Sequence, residues 1–291
     1  MKIRICFIFI IVVGVPITAA LIMYSPKIKT DTNKTILPSI DDVPREYWEK
    51  LAGKKIFFGH KSVGYNIIDG IKDVVRERDY IKLNIVETHE PVEFDQPIFA
   101  HSQVGKNAEP ASKIESFENI IDSGVGAKVD IAFFKFCYAD ITHNTNTYQM
   151  FEKYNTTIKD LKTRYPKTNF IHVTVPLRSS PKGAEKTLKE TIKSLIGKPV
   201  TVDNNIKRQH YNSLLNETYS ETEPVFDLAL IESINPDGAK CYVTKGTNKV
   251  FFMAAEYTND GGHLNEKGRK KVAEQLLIFL AKVVNKSSST D

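Results

Sequence analysis

From residue 54 onward the chain alternates short apolar runs with longer amphipathic ones. Lys54-Ile-Phe-Phe-Gly-His60 reads as a strand, and Val63 to Arg78 carries Ile67, Ile68, Ile71, Val74 and Val75 at helical spacing. Ile81 to Glu87 reads as a second strand, residues 89–112 as a long loop, and Ile114 to Ile121 as a helix. Val129 to Phe136 is a third, strongly apolar strand, followed by a helix from Tyr148 to Tyr165 that Pro166 ends. The pattern closes with a strand over Asn169–Pro176, a Pro- and Lys-rich excursion, a helix over Asn205–Ser220, a strand over Val225–Leu230 and an amphipathic helix over Lys267–Val284. Strands that alternate with helices predict a three-layer, doubly wound α/β domain with about five parallel strands. Sites in such sheets lie at the carboxyl ends of the strands, which directs attention to the residues just after Phe58, Glu87, Phe136, Pro176 and Leu230.

The first 50 residues follow a different pattern. Ile5 to Met23 run for nineteen positions without a charge, behind Lys2 and Arg4. That is the length of a membrane span, and Thr18-Ala19-Ala20 also offers a signal-cleavage site. Residues 1–24 are therefore an uncleaved anchor or a signal peptide, 25–50 a linker, 51–285 the folded domain and 286–291 a tail. Either reading of the leader puts the domain outside the cytoplasm, held to the membrane through residues 5–23 or secreted. Lys and Arg (40) exceed Asp and Glu (35) only slightly and are scattered, which gives no support to nucleic-acid binding. Cys137 and Cys241 are the only cysteines beyond the leader, so a disulfide between them is permitted but not implied. No Cys/His spacing suggests a metal, and no cofactor is expected.

Two short segments carry candidate chemistry. Asp260-Gly-Gly-His263 precedes the last helix, and a carboxylate three residues from an imidazole can meet it across one turn. The Asp would orient the His and stabilise its protonated form during acyl transfer; the alternative is a turn residue beside a helix start. Ser62, in Gly59-His-Lys-Ser-Val-Gly64, sits where the first strand turns into the first helix. There its hydroxyl is a candidate nucleophile and its N–H a candidate oxyanion donor, although a plain helix N-cap would use the same position. His60 beside it either touches substrate or closes the strand as a structural hydrogen-bonded group.

Taken together, these segments resemble the SGNH hydrolase superfamily, the GDSL-like esterases and lipases, over roughly residues 54–285. The resemblance implies a flavodoxin-like strand order, with Ser62 as nucleophile, His263 as base and Asp260 as its partner. Gly105, in His101-Ser-Gln-Val-Gly-Lys-Asn107, is similar in placement to the family's second-loop glycine and would join Ser62 in the oxyanion hole. The usual Gly-Asp-Ser-Leu keeps only its serine. The usual Gly-x-Asn-Asp corresponds to Phe136-Cys-Tyr-Ala-Asp140, which keeps the aspartate and loses both the glycine and the asparagine, so either Asn107 supplies the missing amide donor or activity is reduced. Tyr138 and Asp140 of that loop, with His60, are candidate substrate-binding residues. The implied activity is a serine ester hydrolase or O-acyl esterase acting on an acylated carbohydrate or lipid-like ester. A non-catalytic polysaccharide-binding relative and an O-acyltransferase are the alternatives. Asn204 to Arg208 with Tyr211-Asn212 resembles a helix of bacterial relatives and is expected to be structural.

Overall fold

The computed structural model describes residues 28–31, 33–181 and 184–287. The apolar run 5–23 lies outside them, and among the described residues no helix is long and apolar enough to cross a membrane.

The order of elements begins with β1 (Lys29–Thr30), α1 (Arg45–Ala52), β2 (Lys55–His60), α2 (Val63–Glu77), β3 (Ile85–Glu87), β4 (Ile98–Gln103), α3 (Pro110–Ile120), β5 (Ile131–Phe134) and α4 (Thr147–Arg164). It continues with β6 (Asn169–Phe170), β7 (His172–Val173), α5 (Ala184–Leu195), α6 (Thr201–Tyr219), β8 (Val225–Phe226), α7 (Leu228–Ser233), β9 (Cys241–Lys245), β10 (Asn248–Phe251) and α8 (Glu266–Ser287). Five strands form a wholly parallel sheet in the order β3-β4-β2-β5-β6. Past Phe170 the strand continues: Ile171 N–H donates to Ala132 O while His172 N–H donates to Pro224 O, so β7 carries the edge on to β8. Without β3, the strands β4-β2-β5-β6/β7-β8 follow the flavodoxin-like order, and β3 is an added edge strand.

Successive residues of a strand face opposite sides, so β2 sends Ile56 and Phe58 to one layer and Phe57 to the other. The first layer packs Ile67, Ile71 and Val74 of α2 with Leu276, Leu280 and Val284 of α8. The second packs Phe117 of α3, Phe151 and Ile158 of α4 and Leu215 of α6. Helices thus cover both faces of the sheet, as the alternation predicts.

Four expectations are corrected. Residues 89–112 are not one long loop, because β4 pairs with β2 along its whole length, Lys55 with Ile98 through His60 with Gln103. The strand expected over Val225–Leu230 stops at Phe226, since the Asp227 side chain accepts from Leu230 N–H and starts α7. The Lys-rich excursion contains α5, and a hairpin of β9 and β10 follows α7. The described part of the expected linker is folded onto the domain: Ile40, Val43 and Trp48 are buried in the first layer beside Leu51, and Lys29–Thr30 pairs with β9. The permitted disulfide is not formed. Cys137 Sγ faces Lys61 O at 3.0 Å and Cys241 Sγ accepts from Asn235 Nδ2 at 3.0 Å.

Candidate active site

The carboxyl ends of β2, β4, β5 and β7 deliver Ser62, Gly105, Tyr138 and Arg178 to one end of the sheet. Between β2 and α2 the chain turns within two residues, and Ser62 takes φ +54° and ψ −106°. A non-glycine residue there carries strain on the order of 1–3 kcal/mol, and the turn holds its hydroxyl above the sheet. Gly64 makes the turn possible, because a Cβ at that position would lie 2.3 Å from His60 Cβ. After β4 the chain turns through Gly105 at φ +52°, where a Cβ would meet Lys113 N at 2.5 Å at the start of α3.

The segment before α8 brings the rest. His263 Nε2 lies 2.6 Å from Ser62 Oγ, and His263 Nδ1 lies 2.6 Å from Asp260 Oδ2. Asp260 Oδ1 accepts from Gly262 N–H and His263 N–H, both at 2.8 Å, and from Thr258 Oγ1 at 3.2 Å. Burial pushes the Asp260 pKa up, but hydrogen bonds from the His263 ring and from the His263 and Gly262 N–H groups outweigh it and hold the carboxyl well below the usual carboxylate range. Asp260 is therefore an anion at any working pH, facing an imidazole whose other nitrogen faces the serine. Ser62 N–H and Gly105 N–H make no hydrogen bond to protein atoms among the described residues.

Of the other expected site residues, Tyr138 reaches the site and stacks edge-on against the His263 ring, with centroids 5.8 Å apart. Asn107 is exposed, and its Oδ1 accepts from Lys113 Nζ at 3.0 Å, which leaves its amide N–H groups to donate. His60 and Asp140 are not brought to the site surface. His60 is fully buried, 3.0 Å from His101 Nδ1 through Nε2, and burial, with the charge of Lys135, pulls its pKa down to about 2. Asp140 is buried against Lys113 Nζ at 2.5 Å, Cys137 N–H at 2.6 Å and Ala108 N–H at 2.9 Å. It ties the third loop to the second and has no oxygen to offer a substrate. His101 and Ser102, adjacent in the chain, are buried as well.

Several residues that position the site were missed or misread from the sequence. Arg178 donates from Nε to Gly261 O at 3.2 Å, and Ser179 N–H reaches the same carbonyl at 3.0 Å. Asn205 accepts from Arg178 N–H and donates to Arg178 O, and Arg208 donates to Asn205 and to Tyr138 O. Asn212 holds both backbone groups of Val175, so the 204–212 stretch is structural, as expected. A signal for Lys113 and Lys135 did exist: each interrupts an apolar face, and both are fully buried. Among the described residues no cluster of His, Cys, Asp and Glu could hold a metal ion.

The family model described as GDSL-like Lipase/Acylhydrolase matches residues 78–276, which contain Asp260 and His263 and begin after Ser62. Among the curated proteins none matches. Solved structures similar to this chain include the periplasmic domain of a Salmonella ser. Paratyphi A lipopolysaccharide acetyltransferase, 14% identical, covering 82% of this chain and 98% of that one, at a TM-score of 0.44. A carbohydrate esterase family 3 from Talaromyces cellulolyticus is 13% identical over 80% of this chain and 97% of its own, at a TM-score of 0.44. A mutant acetyl esterase with an acetate ion is 13% identical over 80% of this chain and 98% of its own, at a TM-score of 0.42.

Proposed function

The chain belongs to the GDSL-like lipase/acylhydrolase family, and from that premise we propose that Ser62, His263 and Asp260 cleave an O-acyl ester outside the cytoplasm. The observation that carries the assignment is the unbroken relay from Ser62 Oγ through the His263 ring to Asp260, 2.6 Å at each link. His263 Nε2 accepts the Ser62 proton as Oγ attacks the acyl carbon, while Asp260 fixes the tautomer and stabilises the imidazolium. The N–H groups of Ser62 and Gly105, with the Asn107 amide, face the developing oxyanion. Collapse expels the alcohol, which takes the proton back from His263. Water then repeats the sequence on the acyl-serine, returning Ser62 and releasing the acid.

The site's openness bears on the substrate. The side chains of His263 and Asp260 keep 44% and 56% of their exposure, so the reacting centre suits a short acyl group carried on a large alcohol. That favours an acylated carbohydrate or a lipid-like ester. The same openness admits an acceptor alcohol in place of water, and transfer to a sugar hydroxyl is the second reading. The uncharged run 5–23 supports a membrane-held or exported domain.

A serine-reactive phosphonate tests the core of the assignment. It should add to Ser62, seen by peptide mass spectrometry, and abolish hydrolysis of a short-chain p-nitrophenyl ester. No turnover and no adduct would favour a polysaccharide-binding relative without catalysis. Partition of acyl groups between water and an added sugar separates hydrolase from transferase, and protease accessibility of the domain in intact cells tests its location.

A further inference from the structure

Directly beneath the nucleophile turn lies a lysine that the reaction above does not use. Lys135 follows β5 and is fully buried. Among the described residues its Nζ reaches only Phe136 O at 3.3 Å, Lys61 O at 3.4 Å and Cys137 Sγ at 3.6 Å. The contrast with Lys113 is direct, since that buried lysine is paired with Asp140 at 2.5 Å. A buried ammonium with no anion beside it costs several kcal/mol. Burial pulls the Lys135 pKa below the ordinary lysine range; Cys137, Asp140 and Glu232 oppose that pull and Lys113 adds to it. In either protonation state Nζ donates hydrogen bonds.

What it donates to is informative. Lys61 C=O and Ser62 N–H are the two ends of a single amide. That carbonyl accepts from Cys137 Sγ at 3.0 Å and Gly64 N–H at 3.2 Å as well as from Lys135. Donors on an amide oxygen draw electron density from its nitrogen and make the N–H a stronger donor. We propose that Lys135, together with Cys137, polarises the Lys61–Ser62 amide and so strengthens Ser62 N–H as an oxyanion donor. Lys135 is thus a positioning residue that touches no substrate. The inference rests on the esterase reading of Ser62.

The test uses the full chain in detergent and two substitutions, Lys135→Met, which removes the donor at similar length, and Lys135→Gln, which keeps an uncharged one. Three quantities are read beside stability: kcat and KM for a neutral p-nitrophenyl ester, and Ki for a trifluoromethyl ketone. The ketone isolates the oxyanion hole, because Ser62 Oγ bonds its carbonyl carbon, the C=O becomes C–O⁻ and the serine proton passes to His263. Lys135→Met should lower kcat about two- to eightfold and raise Ki by a similar factor. KM should stay within about twofold and Tm should not fall, since an apolar isostere relieves the buried charge. Lys135→Gln should lie between Met and wild type. Wild-type kcat and Ki in both variants would overturn the proposal. So would failure of both to fold, or a large drop in Tm with kcat and Ki intact, either of which would make Lys135 a structural residue. A wild-type protein that neither turns over the ester nor binds the ketone at Ser62 would instead sink the esterase reading, and this inference with it.

Discussion

Both carboxylate oxygens of Asp260 are engaged, Oδ2 by the His263 ring and Oδ1 by its own loop's N–H groups. Asp260→Asn keeps an acceptor for the loop but turns an amide N–H toward His263 Nδ1. The imidazole then holds its proton on Nε2, where it cannot accept one from Ser62. We expect kcat/KM to fall about 10³–10⁴-fold with the fold intact. Asp122→Asn, at an exposed carboxylate bonded to Arg164 and Tyr165, should leave it unchanged. Equal losses in the two variants would refute the pairing. Glu232 makes the opposite electrostatic case. It is fully buried, with Leu177 N–H on Oε2 and no partner on Oε1 among the described residues. Burial raises its pKa from 4.5 to about 8, against the pull of the Leu177 N–H and of Lys135 and Arg208. Its folded pKa lies above its unfolded one, so its contribution to stability is fully present below pH 4.5 and is lost as pH rises from 4.5 to about 8. Glu232→Gln keeps the Leu177 bond and removes the titration. The urea midpoint of Glu232→Gln relative to wild type should therefore rise from pH 5 to pH 8, a comparison in which the opposite pH dependence of the buried His60 and His172, common to both proteins, cancels.

At the scale of elements, the oxyanion side of the site depends on how closely the β4–α3 turn approaches the helix it feeds. Gly105→Ala puts a methyl group at left-handed φ against the Lys113 backbone N, which cannot yield without moving α3. The change should cost more than ~1 kcal/mol of stability and a larger share of activity, read as a fall in kcat with little change in KM. Neither the glycine's contacts nor β4 was visible in the sequence, for one reason. Ile98-Phe-Ala-His-Ser-Gln103 looks half polar, yet His101 and Ser102 are buried, and His101 is accommodated only because His60 of the neighbouring strand meets it. That compensation joins residues far apart in the chain. The strands Lys55–His60 and Ile131–Phe134 were legible because both faces are covered and the runs are almost wholly apolar. Ser62, Asp260 and His263 were legible because each sits next to an element boundary that periodicity marks. α5 escaped notice because its composition is that of a solvated loop and its packing is inverted: Thr191 is buried while Leu188 and Ile192 stay exposed.

At the scale of the whole molecule, the domain begins earlier than the strand pattern implies. Ile40, Val43, Trp48 and Leu51 all enter the layer that α2 and α8 form on one face of the sheet. Two side-chain contacts bind this segment to α8, Lys50 Nζ to Asn285 Oδ1 at 2.6 Å and Gln275 Nε2 to Pro38 O at 2.9 Å. Fully burying an apolar side chain of this size contributes ~1.5–3 kcal/mol, so four of them contribute a sum comparable to the ~5–15 kcal/mol net stability of a domain. A chain that starts at residue 53 should therefore fail to fold or melt far below one that starts at residue 28. Trp48 makes the coupling measurable without truncation, because it is the chain's single tryptophan and is only 1% exposed. Its emission should be blue-shifted in the native protein and should move to the red over the same urea range in which helix ellipticity is lost. Coincident transitions are the mark of one cooperative unit. A red shift completed at lower urea, with ellipticity and esterase activity still native, would show that the segment detaches on its own and that the catalytic domain stands without it.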